Sequence, residues 1–212
     1  MVGQVNVSTR TTRARRTLLA APGALLSVLL VAGCAQDSGA GDVVNQGFVS
    51  GDGSVQQWDV GDRKDPVTVT GTAFDGAEID TSDWAGDVVV INTWYAACPP
   101  CRAEAPDLVN LANERAEDGV RVLGINTTDD AGAAQAFERT FQVPYPSIDD
   151  RRGQAVARLS GVVPLQAVPT TVVLDREHRP AARVIGLAEG STLQAIVDDV
   201  LAEGGDAAES AG

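Results

Sequence analysis

The side chains best suited to chemistry are Cys98 and Cys101, separated only by Pro99 and Pro100. Two thiols at this spacing, at the start of a helix, can close a small disulfide ring. A helix N-terminus offers free N–H groups and partial positive charge, which bring a cysteine pKa from ~8.5 down to about 3.5–7.5. The thiolate so formed attacks another disulfide, and the second thiol then resolves the mixed disulfide. Other uses of the pair remain open at this point. A structural bridge is one, although a ring this short constrains little of the unfolded chain. Half a zinc site is another, but its partners would have to be Cys34, outside the expected fold, and the lone His178. Placement decides between them, because redox chemistry needs the pair where a strand hands over to a helix.

The flanking pattern supplies that placement. Residues 87–93 form a nearly unbroken β-branched run, the mark of a strand buried on both faces. Residues 102–117 read as a helix with Leu108, Leu111 and Ala112 on one stripe and Gly119 as its stop. Further strands are expected over 67–71, 120–125, 170–174 and 182–185, with turns at Asp75-Gly76 and over 175–180. A second helix is expected over 131–139, and a closing helix capped by Ser191-Thr192 runs through Leu201. Strand–helix alternation over about 150 residues predicts a three-layer α/β domain around a mixed sheet.

Charge divides the chain of 212 residues. Residues 1–33 hold Arg10, Arg13, Arg15 and Arg16 and no acid; taking those four from 16 basic residues leaves 12 against all 29 acidic ones, a formal −17 for the rest. So acidic a body argues against nucleic acid as a partner. The basic leader runs into an apolar stretch interrupted by Pro22-Gly23 and ends at Val31-Ala32-Gly33-Cys34. It is too short and broken for a bilayer span of roughly 20 residues and reads as a signal peptide. Small residues directly before a cysteine resemble the bacterial lipobox, which implies cleavage before Cys34 and a lipid on its sulfur. Arg15-Arg16 resembles a twin-arginine export signal only weakly. The expected organisation is a signal over 1–33, a lipidated tether over 34–54, the folded domain over 55–203 and a disordered tail over 204–212. Such a protein would sit lipid-anchored on the outer face of the cell membrane.

The motifs together resemble the thioredoxin fold and, within it, the TlpA/ResA-like membrane-tethered thiol–disulfide oxidoreductases. The resemblance covers residues 71–186. It is carried by Asp83-Trp84-Ala85-Gly86-Asp87, by the strand ending Asn92-Thr93-Trp94, by Cys98-Pro99-Pro100-Cys101-Arg102-Ala103-Glu104-Ala105-Pro106, and by Val168-Pro169-Thr170-Thr171 ahead of a late strand. It implies a thioredoxin-like sandwich with an N-terminal strand extension. Cys98 would be the exposed nucleophile and Cys101 the buried resolving thiol. Pro169 would be a cis-proline facing the disulfide, with Val168 offering its backbone to an extended substrate. Trp94 would support the site from beneath, and Pro106 would kink the active-site helix. Glu104, one helical turn past Cys101, would influence proton transfer at the thiols; a solvated surface carboxylate is the alternative. The redox disulfide itself is the expected cofactor, with no metal.

Two departures from the family stand out. Asn92 replaces the aspartate of thioredoxin itself, and Ala97 replaces the usual tryptophan before the first cysteine. Pro99 also deletes an N–H that could have stabilised a thiolate. The Pro99-Pro100 dipeptide together with Glu104 predicts a reducing rather than an oxidising couple. The expected function is reduction of exported disulfides, such as the haem-attachment cysteines of apocytochrome c, with electrons from an integral-membrane thiol carrier and the chain acting as a monomer. A disulfide-forming oxidase and a copper-binding module on the same fold are the alternatives. His178, between Glu177 and Arg179 in a turn, reads as a solvated surface residue.

Overall fold

The computed structural model describes residues 54–164 and 167–209, so the leader, Cys34 and most of the expected tether lie outside the described residues. The main sheet has the order β1-β8-β7-β4-β5-β6, from β1 (Val55–Gln57), β4 (Val88–Trp94), β5 (Val120–Asn126), β6 (Ser147–Asp149), β7 (Thr170–Leu174) and β8 (Pro180–Ile185). β4, β5 and β6 run parallel; β7 lies antiparallel to β4, β8 to β7 and β1 to β8. A separate hairpin pairs β2 (Thr70–Thr72) with β3 (Glu78–Asp80). The helices are α1 (Pro99–Glu114), α2 (Ala131–Phe141), α3 (Gln154–Arg158) and α4 (Gly190–Glu209). This is the expected thioredoxin-like α/β fold, and β1 is its N-terminal strand extension.

Strand alternation builds the two faces. Every residue of β4 is buried. Val88 and Val90 join Leu108 and Leu111 of α1 and Leu193, Ile196 and Val197 of α4, whereas Val89 and Ile91 join Ile148, Val156 and Leu159 on the opposite face. A third apolar cluster at the end of β4 contains Trp94, both cysteines, Ala134 and Phe137. The sheet therefore ends in a hydrophobic bed for the disulfide.

Several expected elements shift for identifiable reasons. The strand expected over 67–71 forms only at Thr70–Thr72, because the Val67 N–H bonds to the His178 carbonyl and the Val69 N–H to the Thr81 hydroxyl. α1 ends at Glu114 and the chain turns through 115–119, bringing Gly119 to a left-handed φ of 77°. The tail expected to be disordered from Gly204 instead continues α4 through Glu209; the alanines flanking Gly204-Gly205 are strong helix formers. His178 is buried, with Nε2 3.2 Å from the Trp84 carbonyl, rather than solvated. The loop after β3 folds over the β7–β8 turn, and His178 takes a left-handed φ of 61° beneath it.

Candidate active site

Cys98 is the N-cap of α1 and is bonded to Cys101, with S–S 2.05 Å and Cα–Cα 5.3 Å. β4 delivers the chain to this point, and Pro99 and Pro100 occupy the first helical turn, where proline fits because its missing N–H would have no partner there. The cost falls on the sulfur. Two of the N–H groups that could face Cys98 are absent, and the Cys101 N–H, 3.2 Å from Cys98 Sγ, supplies the capping contact. The Arg102 N–H makes the first helical bond to the Cys98 carbonyl.

The loop before Cys98 is clamped from two sides. The Ala96 N–H donates to Asp129 Oδ2 at 2.5 Å, and Asn126 Nδ2 donates to the same oxygen at 2.8 Å. The Arg102 guanidinium donates to the Ala96 carbonyl and lies over Phe137 and Phe141, 5.9 and 5.1 Å from their ring centroids. Trp94 stacks on Phe137 at 4.3 Å, beneath the cysteines. Asp129 and Asn126 escaped sequence reasoning, since an Asn-x-x-Asp in a loop reads as ordinary turn chemistry.

The Val168–Pro169 peptide is cis. Val168 is half-buried against the cysteine cluster, and its backbone N–H and carbonyl carry no hydrogen bond among the described residues. Sequence reasoning placed Cys98 at the surface; the structure does not. Cys98 is 1% exposed and Cys101 2%, because the closed ring turns both sulfurs into the bed formed by Trp94, Tyr95, Ala96 and Val168. Ala97 and Pro99 beside it are exposed.

Glu104 is not a surface carboxylate. It is 1% exposed, Asn92 Nδ2 donates to its Oε1 at 2.7 Å, and the Ala188 N–H donates to its Oε2 at 2.9 Å. Burial pushes its pKa up to about 7, against the two hydrogen bonds, which favour the ionised form; the charge of Asp107 adds a little upward. Glu104 thus sets a buried carboxyl on α1 opposite Asn92, and Asn92, which holds it, also lines the cavity wall shared with Cys101. Because the carboxyl pKa is raised on folding, the stabilisation is present below the ordinary value near 4.5 and is lost as pH rises through 7. Between pH 4.5 and 8 the protein should lose about 3 kcal/mol more stability than a Glu104→Gln variant. Urea unfolding at the two pH values measures this, and equal losses in both chains would refute it.

The thiol:disulfide interchange protein HelX of Rhodobacter capsulatus is 30% identical over 117 residues, covering 55% of this chain and 62% of HelX. The thiol–disulfide oxidoreductase ResA of Bacillus thuringiensis is 26% identical over 115 residues, covering 54% of this chain and 64% of ResA. The chain thus spans a little under two thirds of the length of these curated relatives. Among solved structures, a secreted thiol-disulfide isomerase from Corynebacterium glutamicum superposes with a TM-score of 0.66 at 34% identity, covering 73% of this chain and 96% of that one. The Redoxin family profile matches residues 59–192, well over half of the sequence and the whole of the cysteine site, and the chain belongs to that family.

Proposed function

We propose that this protein is a membrane-tethered, extracytoplasmic thiol–disulfide oxidoreductase that reduces disulfides during cytochrome c maturation, those of the haem-attachment cysteines of apocytochrome c. The observation that carries the reading is the Cys98–Cys101 disulfide capping α1 at the end of β4, beside the Val168–Pro169 segment. In the reduced form, Cys98 thiolate attacks a substrate disulfide, Cys101 displaces the substrate, and the pair returns to the disulfide. The backbone of Val168, unpaired among the described residues, suits strand-like pairing with an extended peptide.

The reducing direction draws support from the two prolines. With one capping N–H on Cys98 Sγ, the thiolate receives little stabilisation, so the dithiol gives up its electrons readily. The names of ResA and HelX speak for disulfide exchange, and the resemblance to the TlpA/ResA group brings cytochrome c maturation with it. The export signal and Cys34 support the location. Outside the membrane thiols are oxidised, so the cycle requires an integral-membrane electron donor. Nucleic acid has no place in this reading.

Cys101→Ala should stall Cys98 in mixed disulfides. In cells, a non-reducing gel followed by identification of the trapped chains should show apoproteins of c-type cytochromes. A broad catch of exported proteins would overturn the reductive assignment in favour of an oxidase. No trapped species at all would overturn disulfide exchange itself.

A further inference from the structure

Cys98 enters α1 from a turn that its own residues do not favour. The Cys98 N–H bonds to the Tyr95 carbonyl at 3.1 Å, so Ala96 and Ala97 are the central residues of a tight turn between β4 and α1. Gly, Pro, Asn, Asp and Ser dominate turns because each presets φ or supplies a local hydrogen bond. Tyr95-Ala96-Ala97-Cys98 contains none of them. The shape of this turn is therefore imposed from outside.

The peptide groups of Ala96 show by what. The N–H donates to Asp129 Oδ2 at 2.5 Å, and the carbonyl accepts from Arg102 Nη1 at 3.3 Å. Asp129 lies between β5 and α2 and is itself held in place. Asn126, fully buried at the end of β5, accepts the Thr128 and Asp129 N–H groups on Oδ1 at 3.1 and 2.9 Å. Its Nδ2 donates to Asp129 Oδ2 at 2.8 Å. Asp129 is not needed as a helix cap, because Asp130 caps α2 by accepting the Ala133 N–H at 2.9 Å. On the other side of the turn, Arg102 lies over Phe137 and Phe141 of α2. Both grips on Ala96 thus rest on the β5–α2 unit. The turn they fix sets the direction in which Cys98 meets the helix, where the Cys101 N–H lies 3.2 Å from Cys98 Sγ.

We propose that Asp129, braced by Asn126, is a positioning residue for thiol–disulfide exchange: it fixes the turn over 95–98 so that Cys98 Sγ meets the Cys101 N–H. The inference rests on the oxidoreductase reading above. Asp129 bonds to Ala96 and acts on Cys98 through the turn. Two effects of opposite sign follow from this placement. As a fixed negative charge, Asp129 disfavours a thiolate on Cys98. As the tie on the turn, it keeps the N–H contact that favours the thiolate once the disulfide is reduced. The positioning role requires the second effect to outweigh the first. The other ionisable groups on these elements have their own places: Arg102 grips the same residue, Asp130 caps α2, and Glu104 is bonded to Asn92 and Ala188.

The test uses the full chain with Cys34→Ser and Cys101→Ser, which leave Cys98 as its one thiol. Alkylation by iodoacetamide across a pH series reads the thiolate fraction of Cys98. Asp129→Ala should raise the apparent pKa by about half a unit or more and slow alkylation at pH 7 about threefold or more. Asp129 is half-buried in a loop, so its truncation leaves the core intact. Asp129→Asn loses the charge but keeps an oxygen for the Ala96 N–H, and its pKa should lie at or below the parent value. A pKa unchanged or lowered in Asp129→Ala would overturn the proposal, since Asp129 would then act as a charge alone or not at all. An equal rise in Asp129→Asn would overturn it too, because the retained oxygen would have rescued nothing. A parent chain with Cys101 restored that reduces no peptide disulfide would instead overturn the oxidoreductase reading, on which the alkylation profile does not depend.

Discussion

Replacing Cys98 with serine, in a Cys34→Ser background, is expected to reduce disulfide exchange by roughly 10³-fold or more, as removal of a catalytic nucleophile commonly does. A hydroxyl at this position is almost entirely protonated at neutral pH, and an alkoxide forms no exchangeable bond with sulfur. The fold should survive. Serine is among the best N-cap residues, so its oxygen can take over the hydrogen bond that Cys101 N–H makes to Cys98 Sγ. Losing a bridge that closes so short a loop removes roughly 2 kcal/mol by the chain-entropy relation, part of which the better cap returns. Reduction of a model disulfide peptide, with circular dichroism as the control for folding, measures both effects. Exchange within tenfold of the parent in a folded variant would show that Cys98 is not the nucleophile.

Asp175→Ala should cost about 3–5 kcal/mol of stability, the largest loss expected from one side chain outside the apolar core. Asp175 Oδ1 accepts the N–H groups of Glu177 and Arg179 at 3.0 and 2.8 Å; Oδ2 accepts Arg63 Nη1 and Arg179 Nε, both at 2.9 Å. The Arg63 side chain is 2% exposed and also reaches Glu203 on α4 at 2.6 Å. One carboxylate thus closes the β7–β8 turn, anchors the segment leading into β2 and, through Arg63, holds α4. Without it Arg63 is a buried cation with half its neutralisation gone. Exposed pairs such as Arg121–Asp87 and Arg151–Asp149 should each be worth under about 1 kcal/mol on removal. Denaturant unfolding with an unchanged slope would report the Asp175 loss; a midpoint shift equivalent to less than about 1 kcal/mol would contradict the network's weight.

Strong periodicity made the core of the fold readable from the sequence. The β-branched runs at β4, β5 and β7 and the amphipathic pattern of α1 are long enough that no competing period fits. β6 and α3 were missed because three and five residues, set among Pro144, Pro146 and Gly153, give no period at all. The cysteine pair, Glu104 and the Val168–Pro169 step were found as motifs, but their surroundings were not. The exposure of Cys98 was misread because a CxxC pattern carries no information on how Tyr95, Ala96 and Val168 pack over the closed ring. Asp129 reaches the Ala96 N–H from a loop 33 positions along the chain, a contact that spacing cannot express.

The first described strand lies at the margin of the sheet, with β8 and β7 between it and β4. Its register joins Val55, Gln56 and Gln57 to Val184, Arg183 and Ala182, and the chain enters the domain directly ahead of it. Bonds from the Ile185 N–H to the Ser54 carbonyl and from the Trp58 N–H to the Ala181 carbonyl prolong that register at both ends. A pull applied ahead of Val55 would therefore load this margin of the sheet, two strands away from the one that leads to the disulfide.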